Sequence, residues 1–428
     1  MISNKDIQNC LENNFTFDVL NGNLKNAKNN YSCTGRITQK NGKINFYGIC
    51  NQQTNFENIF NQNNGLSGEL VDDDEYYNLQ VSNITGSFHS SHISPSFVYY
   101  GTSGCSIDAE LSALEYSGIS KSSINTFNFY YKNPINLEVN HGYPLKINLI
   151  NFISIEIKNI DSKHGLISIN SSKNFSYEDA KNILKGLTIL FSENLFSFVV
   201  RTSIENDRKV IQIKSTSNKE STFFPAPIPL KTKKDLPNLI RFLNNQIILS
   251  HKEQNFFFNL YSSIYKLRDA YLDIQALNVC VCIESILKKY YAKSIKVPEK
   301  LLNRITKAKA ELNRVKSHFD ETTLSDLNYS LDLKLKPSPK QILKSVEYLD
   351  SKFEISWTKV RNSTAHGVSL SAENQVKLQI SLDHFYTCIE LFYKLWLIHI
   401  GYSGDFYQYS IKDWPRKNHR NLFEMIHK

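Results

Sequence analysis

The stretch Phe223-Phe224-Pro225-Ala226-Pro227-Ile228-Pro229-Leu230 divides this chain more sharply than any other feature. Three prolines in five residues remove three backbone donors and fix three φ angles, so neither a helix interior nor an inner strand runs through them. The expectation is an extended, stiff connection. The hydrophobic pattern differs in kind on its two sides. Before it, short alternating runs recur at Phe15–Leu20, Lys43–Cys50, Tyr77–Val81, Phe97–Tyr100, Thr126–Tyr131, Lys146–Ile157 and Gly165–Ile169. Clusters of Gly, Asn, Asp and Ser separate them, and Asn41-Gly42 is a hairpin signal between two runs. One helix interrupts the strands. It is signalled by Ser176-Tyr177-Glu178-Asp179 and an apolar face of Ile183, Leu184, Leu187, Leu190 and Phe191. Strands at Phe196–Thr202 and Val210–Lys214 follow.

From about residue 235 the period becomes helical. The apolar positions Phe257, Leu260, Ile264, Leu267, Tyr271, Ile274, Val279, Ile283, Ile286 and Leu287 predict one long helix, or two in line, over 252–292. Pro298 opens a second helix to about 318, and Pro337 and Pro339 bracket the start of a third towards 352. A last helix runs from Ser371 to about Ile400, and an aromatic, basic tail packs on the helices. The fold class is therefore α+β: a β-rich region over 1–230, sandwich-like or a curled antiparallel sheet, then an all-α region over 231–428. A chain of 428 residues accommodates two such domains.

Charge separates the halves as well. Residues 231–428 carry 31 Lys/Arg against 20 Asp/Glu, a net of +11, which leaves −2 for residues 1–230. A solvated lysine-rich surface is one reading, and a polyanionic partner for the helical half is the other. Seven cysteines (Cys10, Cys33, Cys50, Cys105, Cys280, Cys282, Cys388) form no CxxC pair. They are expected to be reduced packing thiols of a cytoplasmic protein. The N-terminus lacks a signal pattern, and the most apolar run, Cys388–Ile400, is broken by Glu390 and Lys394. It reads as a core helix, and no membrane association is expected.

Few motifs carry chemistry. There is no Walker A loop, GxGxxG or GxSxG. His89-Ser90-Ser91-His92 reads as a Ser-rich loop with no nearby carboxylate or Cys to complete a metal site, and Asp72-Asp73-Asp74-Glu75 reads as a solvated turn that lacks cation-loop spacing. No metal or other cofactor is expected. What stands out is Arg361-Asn362-Ser363-Thr364-Ala365-His366-Gly367. Arginine presents a charged planar fork that fits a phosphate, and histidine exchanges a proton near neutral pH. On an unbroken helix five residues rotate about 500°, so Arg361 and His366 lie roughly 140° apart. Gly367 favours a helix end there, and a break, or a second copy of the chain, would let the two groups converge. Arg420-Asn421 with His427 gives a second match at longer spacing in the tail.

The Arg361–His366 segment resembles the Arg-x(4–6)-His motif of the HEPN superfamily, in which Asn, Asp or His often follows the Arg. Cys282-Ile283-Glu284-Ser285-Ile286-Leu287 is similar to the acidic position of an early HEPN helix. The layout of a β-rich region followed by such a domain resembles the ApeA-type anti-phage proteins. The resemblance implies a C-terminal HEPN helical bundle and a metal-independent endoribonuclease of abortive infection. It also implies RNA as substrate, with tRNA as a possible target, and activity as a homodimer or higher homo-oligomer. A phage-derived trigger sensed by the N-terminal domain goes with it. Arg361 would hold the phosphate, His366 would transfer protons, and Asn362 would fix the histidine or cap the helix. Glu284 would orient Arg361 or form a structural salt bridge. Lys288, Lys289 and Lys359 would line the RNA path or form a solvated face. The competing reading is a non-catalytic helical module that binds RNA or protein, with Arg361 and His366 as a structural pair.

Overall fold

The computed structural model describes residues 4–25, 30–51, 77–83, 86–93, 95–99, 104–111, 113–119, 124–134, 144–173, 175–192, 195–205, 208–214, 225–230, 233–346, 349–365 and 375–418. The chain forms two compact units: Met1–Ser221 with Leu230–Ile247, and Thr222–Pro229 with Ile248–Lys428. The first is β-rich and the second helical, an α+β protein.

In the first unit, α1 (Asn4–Leu11) precedes β1 (Thr16–Lys25), β2 (Asn30–Lys40), β3 (Lys43–Asn51), β4 (Tyr77–Asn83), β5 (Gly86–Ile93), β6 (Pro95–Tyr99), β7 (Gly104–Leu111) and β8 (Ala113–Ile119). Then come β9 (Asn125–Tyr131), β10 (Leu145–Asn148), β11 (Ile153–Asn159), β12 (Gly165–Ser171), α2 (Tyr177–Phe191), β13 (Val200–Glu205), β14 (Arg208–Lys214) and α3 (Leu236–Ile248). The sequence allowed a sandwich or a curled sheet. The fourteen described strands are linked edge to edge in one sheet, in the order β10-β11-β12-β9-β13-β14-β8-β5-β4-β1-β2-β3-β7-β6. The pairings among the described strands are antiparallel, for example β2–β3 and β11–β12.

Alternation sets the faces. In β11, Ile153, Ile155 and Ile157 are buried while the residues between them are not, the period-2 signature of a half-buried strand. Ile167 and Ile169 of β12 and Phe127 and Phe129 of β9 are buried too. Phe127 stacks on Tyr177, the first residue of α2. That helix starts as its sequence requires. Ser176 Oγ accepts from the Asp179 amide, and Asp179 accepts in return from the Ser176 amide at 2.9 Å, a capping box. Its buried face includes Ile183, Leu184, Leu187 and Leu190. Around α1 a second cluster gathers Ile7, Cys10, Leu11, Phe15, Val19, Ile37, Phe46 and Leu111.

The hairpin at Asn41-Gly42 forms as expected. Lys40 pairs with Lys43, and both turn residues have positive φ, 52° and 82°, the type I′ geometry. The expected single run Lys146–Ile157 is two strands, parted where Asn151 takes φ 60°. Strands β2, β5, β7 and β8 and helix α1 had no clear sequence signal. His89 and His92 lie on β5 and not in a loop. Asp72–Glu75 lies outside the described residues.

The second unit contains α4 (His251–Lys266), α5 (Leu272–Ile286) leading into a π-helical turn at Leu287–Tyr291, α6 (Glu299–Arg314), α7 (Glu321–Leu335), α8 (Pro339–Ser345), α9 (Ser351–Ala365) and α10 (Gln375–His399). The hairpin of β15 (Asp405–Tyr407) and β16 (Arg416–Asn418) follows. One correction concerns the long helix expected over 252–292. It breaks at Leu267, and α5 folds back on α4 instead of continuing in line. Ser263 lies 3.4 Å from both Cys282 and Asn278, and Cys282 approaches the Leu260 carbonyl. The Gln275 side chain bridges the break by donating to the carbonyls of Arg268 and Ala270. Helix α7, capped by Asp320, was not anticipated. The proline segment is no free spacer, because Ile228 is fully buried and Tyr393 donates to the Pro225 carbonyl at 2.7 Å. Helix α3 packs within the β-rich unit, where Leu243 meets Gly186 and Asn244 accepts from the Ile150 amide. No helix among the described residues is long and apolar enough to cross a membrane.

Gly35 and Gly48 face one another across β2 and β3, and a Cβ at Gly35 would lie 2.1 Å from the Tyr47 carbonyl oxygen. That neighbour is backbone and has little room to yield. Gly35→Ala is expected to destabilise the β-rich unit by about 1–3 kcal/mol, the usual cost of overpacking, as read by urea unfolding.

Candidate functional site

Helices α5, α9 and α10 pack on one another. Their contact faces are fixed by Val279, Ile283 and Ile286 of α5 and by Phe353, Trp357 and Val360 of α9, all buried. Arg361 follows Val360 and therefore emerges at the edge of that contact. Its Nε donates to Glu284 Oε1 at 3.0 Å. The Glu284 side chain is 15% exposed and that of Arg361 is 44% exposed. Lys288, one turn beyond Glu284 on the chain, reaches the other carboxylate oxygen at 3.4 Å.

The geometry of this pair matters for its chemistry. A carboxylate that took both terminal nitrogens of an arginine would consume the fork that recognises phosphate. Here the carboxylate takes Nε. Among the described residues the two terminal nitrogens have no partner. The guanidinium is held by its inner edge and presents its outer edge. Glu284 cannot cancel the local charge, since it faces two cations.

Asn362 is exposed on α9, and its side chain makes no hydrogen bond among the described residues. It lies about 100° around the helix from Arg361. Thr364 Oγ1 bonds back to the Val360 and Arg361 carbonyls at 2.9 and 3.3 Å, a contact that competes with regular helix. His366 and Gly367 lie outside the described residues, as do Arg420 and His427. Thus Arg361, Glu284 and Lys288 are brought together. Lys289 turns elsewhere: its Nζ lies 3.5 Å from the Phe256 ring centroid and 4.9 Å from that of Tyr290. Lys359 is exposed and stands near His384, whose pKa its charge helps to lower.

Two histidines had no sequence signal, each being a lone His on an apolar helix. His384 Nδ1 lies 3.0 Å from Ser356 Oγ. His399 Nε2 is 3.7 Å from Glu253 Oε1 and its ring stacks close to Tyr290. Burial holds both below the ordinary histidine range. The Lys359 charge adds to this at His384 against Asp383, and at His399 Glu253 opposes while Lys289 assists. Cys10, Cys33, Cys280, Cys282 and Cys388 are buried free thiols, and burial pushes Cys282 up to about 11, so it is no nucleophile. Among the described residues no cluster of His, Cys, Asp or Glu is suited to hold a metal ion.

Comparison with protein-family models, with curated proteins and with solved structures finds no match.

The two histidines generate a pH prediction. Each has a folded pKa below its unfolded value of 6.5. The unfolded chain therefore binds protons first as pH falls. Their stabilising contribution is complete above pH 6.5 and declines below it towards the lowered folded values. The helical unit should lose thermal stability on acidification below that pH. His384→Gln should flatten the slope, as measured by Tm against pH. An identical slope in the variant would remove His384 from the account.

Proposed function

We propose that the helical unit is a HEPN-type, metal-independent endoribonuclease that acts in anti-phage abortive infection. It cuts tRNA or other cellular RNA at a site built from Arg361, His366 and Asn362. The observation that carries this reading is the Nε-held Arg361, which presents the outer edge of its guanidinium beside Lys288.

RNA supplies its own nucleophile. The 2′-oxygen attacks phosphorus as a base takes its proton; the bond from phosphorus to the 5′-oxygen breaks and an acid protonates that oxygen. The products are a 2′,3′-cyclic phosphate and a 5′-hydroxyl. Negative charge grows on the non-bridging oxygens, and the fixed Arg361 cation meets it without reorganisation. His366 performs the proton transfers, Asn362 orients it and Glu284 positions Arg361. One histidine cannot act as base and acid at the same instant, so two copies in a symmetric dimer serve the reaction. An exposed apolar stripe supports that assembly. Ile274, Leu277 and Val281 are 48%, 39% and 50% exposed on α5, on the helical face that leads to Glu284. The β-rich unit is assigned the sensing of a phage component and the restraint of the nuclease. The two-unit layout motivates that step, and it requires cleavage in phage-infected extract to exceed that in uninfected extract.

A non-catalytic RNA- or protein-binding module is the alternative, favoured by the same ion pair read as structural. Variants discriminate. Arg361→Ala and His366→Ala are each expected to lower cleavage of cellular RNA in EDTA by about 100-fold or more, the usual scale for an acid–base or charge-stabilising group. Unfolding should shift by no more than about 1 kcal/mol, since Arg361 is 44% exposed and Lys288 still faces Glu284 when it is removed. Glu284→Gln should reduce the rate less than Arg361→Ala does. Mapping of fragment ends reads the outcome. Wild-type activity retained in both alanine variants would sink the assignment.

A further inference from the structure

Helices α6 and α7 are built unlike the rest of the helical unit. They pack chiefly on one another. Ile305 is the only buried residue of α6, and α7 has none. The pair is held by its own contacts, including Lys309 Nζ to Asp332 Oδ1 at 2.7 Å. A helical hairpin exposed on nearly all sides contributes little to the core beneath it, so its surface is available for another task.

The cations of α6 gather on one face, whose acid, Glu311, is taken by Arg314 at 2.8 Å. Lys300, Arg304 and Lys307 are exposed and make no ion pair among the described residues. Their spacing of four and then three places them within about 60° of each other around the axis, along roughly 10 Å of helix. Lys293 and Lys296, exposed in the segment before α6, are likewise unpaired among the described residues. Continuing back along the chain leads to Lys288 on Glu284, and from Glu284 to Arg361. Between 288 and 309 the sequence holds eight Lys or Arg and one acid, Glu299. Acids are present on the partner helix (Glu321, Asp326, Asp332), yet of the α6 cations only Lys309 is paired across the hairpin. The five cations stand exposed with no ion pair among the described residues, which is the electrostatic footprint of a polyanion site.

We propose that Lys293, Lys296, Lys300, Arg304 and Lys307 form a phosphate-binding track that grips the RNA backbone, with the α6–α7 hairpin as its arm. The track runs in sequence from the Arg361–Glu284 pair outwards. It contributes affinity without reading bases, because lysines on one helix face meet phosphates and not base edges. The choice of RNA over another polyanion rests on the ribonuclease reading.

The test uses the full chain and unfractionated tRNA with EDTA present. Binding is followed by fluorescence anisotropy over a range of salt concentrations. The variant Lys300→Gln/Arg304→Gln/Lys307→Gln should retain the wild-type Tm, since none of the three is buried. Its affinity should fall by about tenfold or more, and the slope of log K against log salt should become shallower by about 2, from about 0.7 per phosphate contact on single strands. A charge-matched control, Lys5→Gln/Lys146→Gln/Arg208→Gln in the β-rich unit, should keep the wild-type slope. An unchanged slope in the α6 variant, or an equal loss in the control, overturns the track. Arg361→Ala separates this proposal from the reading beneath it. Binding whose slope is shallower by no more than about 0.7, the one phosphate contact of Arg361 itself, with no cleavage, supports both. Wild-type cleavage by Arg361→Ala, together with a shallower slope in the α6 variant, overturns the catalytic site and leaves the track standing. A wild-type chain that shows no salt-dependent binding to tRNA overturns the track outright.

Discussion

The helical unit depends on α10 being buried all round. From Thr387 to Ile398 every residue is buried, a condition that an amphipathic surface helix never meets. Two of those residues are charged, and each is accommodated by a specific partner. Glu390 accepts from the Ser410 amide at 2.8 Å. The Lys394 ammonium lies 4.7 Å from the Phe353 ring centroid and 5.7 Å from that of Phe406, and burial lowers its pKa to about 8. Both arrangements draw the segment after α10 onto the helix, and α9 is packed through Phe353. Position and angle of α9 follow from that packing, and with them the place where Arg361 leaves the core. The buried helix is thus the reason a surface arginine has a defined neighbour.

Much of this was legible in sequence because it rests on local chemistry. The α+β division, the turn at Asn41-Gly42 and the start at Ser176 are each encoded within a few residues. The capping of α2 needs only Ser176 and Asp179, and the turn needs only two residues that tolerate positive φ. The strands that escaped notice were β2, β5, β7 and β8. They are polar and glycine-containing (Gly35, Gly86, Gly104, Gly118), and their pairing is decided by neighbours distant in sequence. The break at Leu267 was hidden for a different reason. Apolar periodicity continues across it, and the residue that stabilises it, Gln275, carries no turn signal. At the candidate site the sequence pairs Glu284 with Arg361 as one expectation, and the structure places them at 3.0 Å. Which nitrogen would be engaged was beyond any spacing argument, because it depends on the relative height of two helices. Lys289 shows the same limit: Lys288 reaches Glu284, while the ammonium of Lys289 lies over the Phe256 ring.

The electrostatic asymmetry between the halves acquires a finer grain in three dimensions. A net charge says how strongly a polyanion is attracted but not where it settles. In the helical unit some cations are spent on local structure: Lys289 on aromatic rings, Lys309 on Asp332, Lys340 on Glu354. Of the exposed cations with no ion pair among the described residues, five follow one another between Lys293 and Lys307, while others, such as Lys252, Lys344 and Lys377, are scattered along the chain. Sorting cations by their partners gives information that composition alone lacks.

The path of the backbone has a practical consequence for anyone who cuts this protein apart. The chain enters the helical unit at Thr222–Pro229, returns to the β-rich unit for Leu230–Ile247, and enters the helical unit again at Ile248. No single peptide bond separates the two. A cut after residue 221 leaves the sheet without α3, and the side chain of Leu243 that lies against Gly186 goes with it. A cut after residue 247 strips the helices of the strap that receives the hydroxyl of Tyr393. The two units are laced together like a stitch, and truncation at either seam removes material from the wrong side.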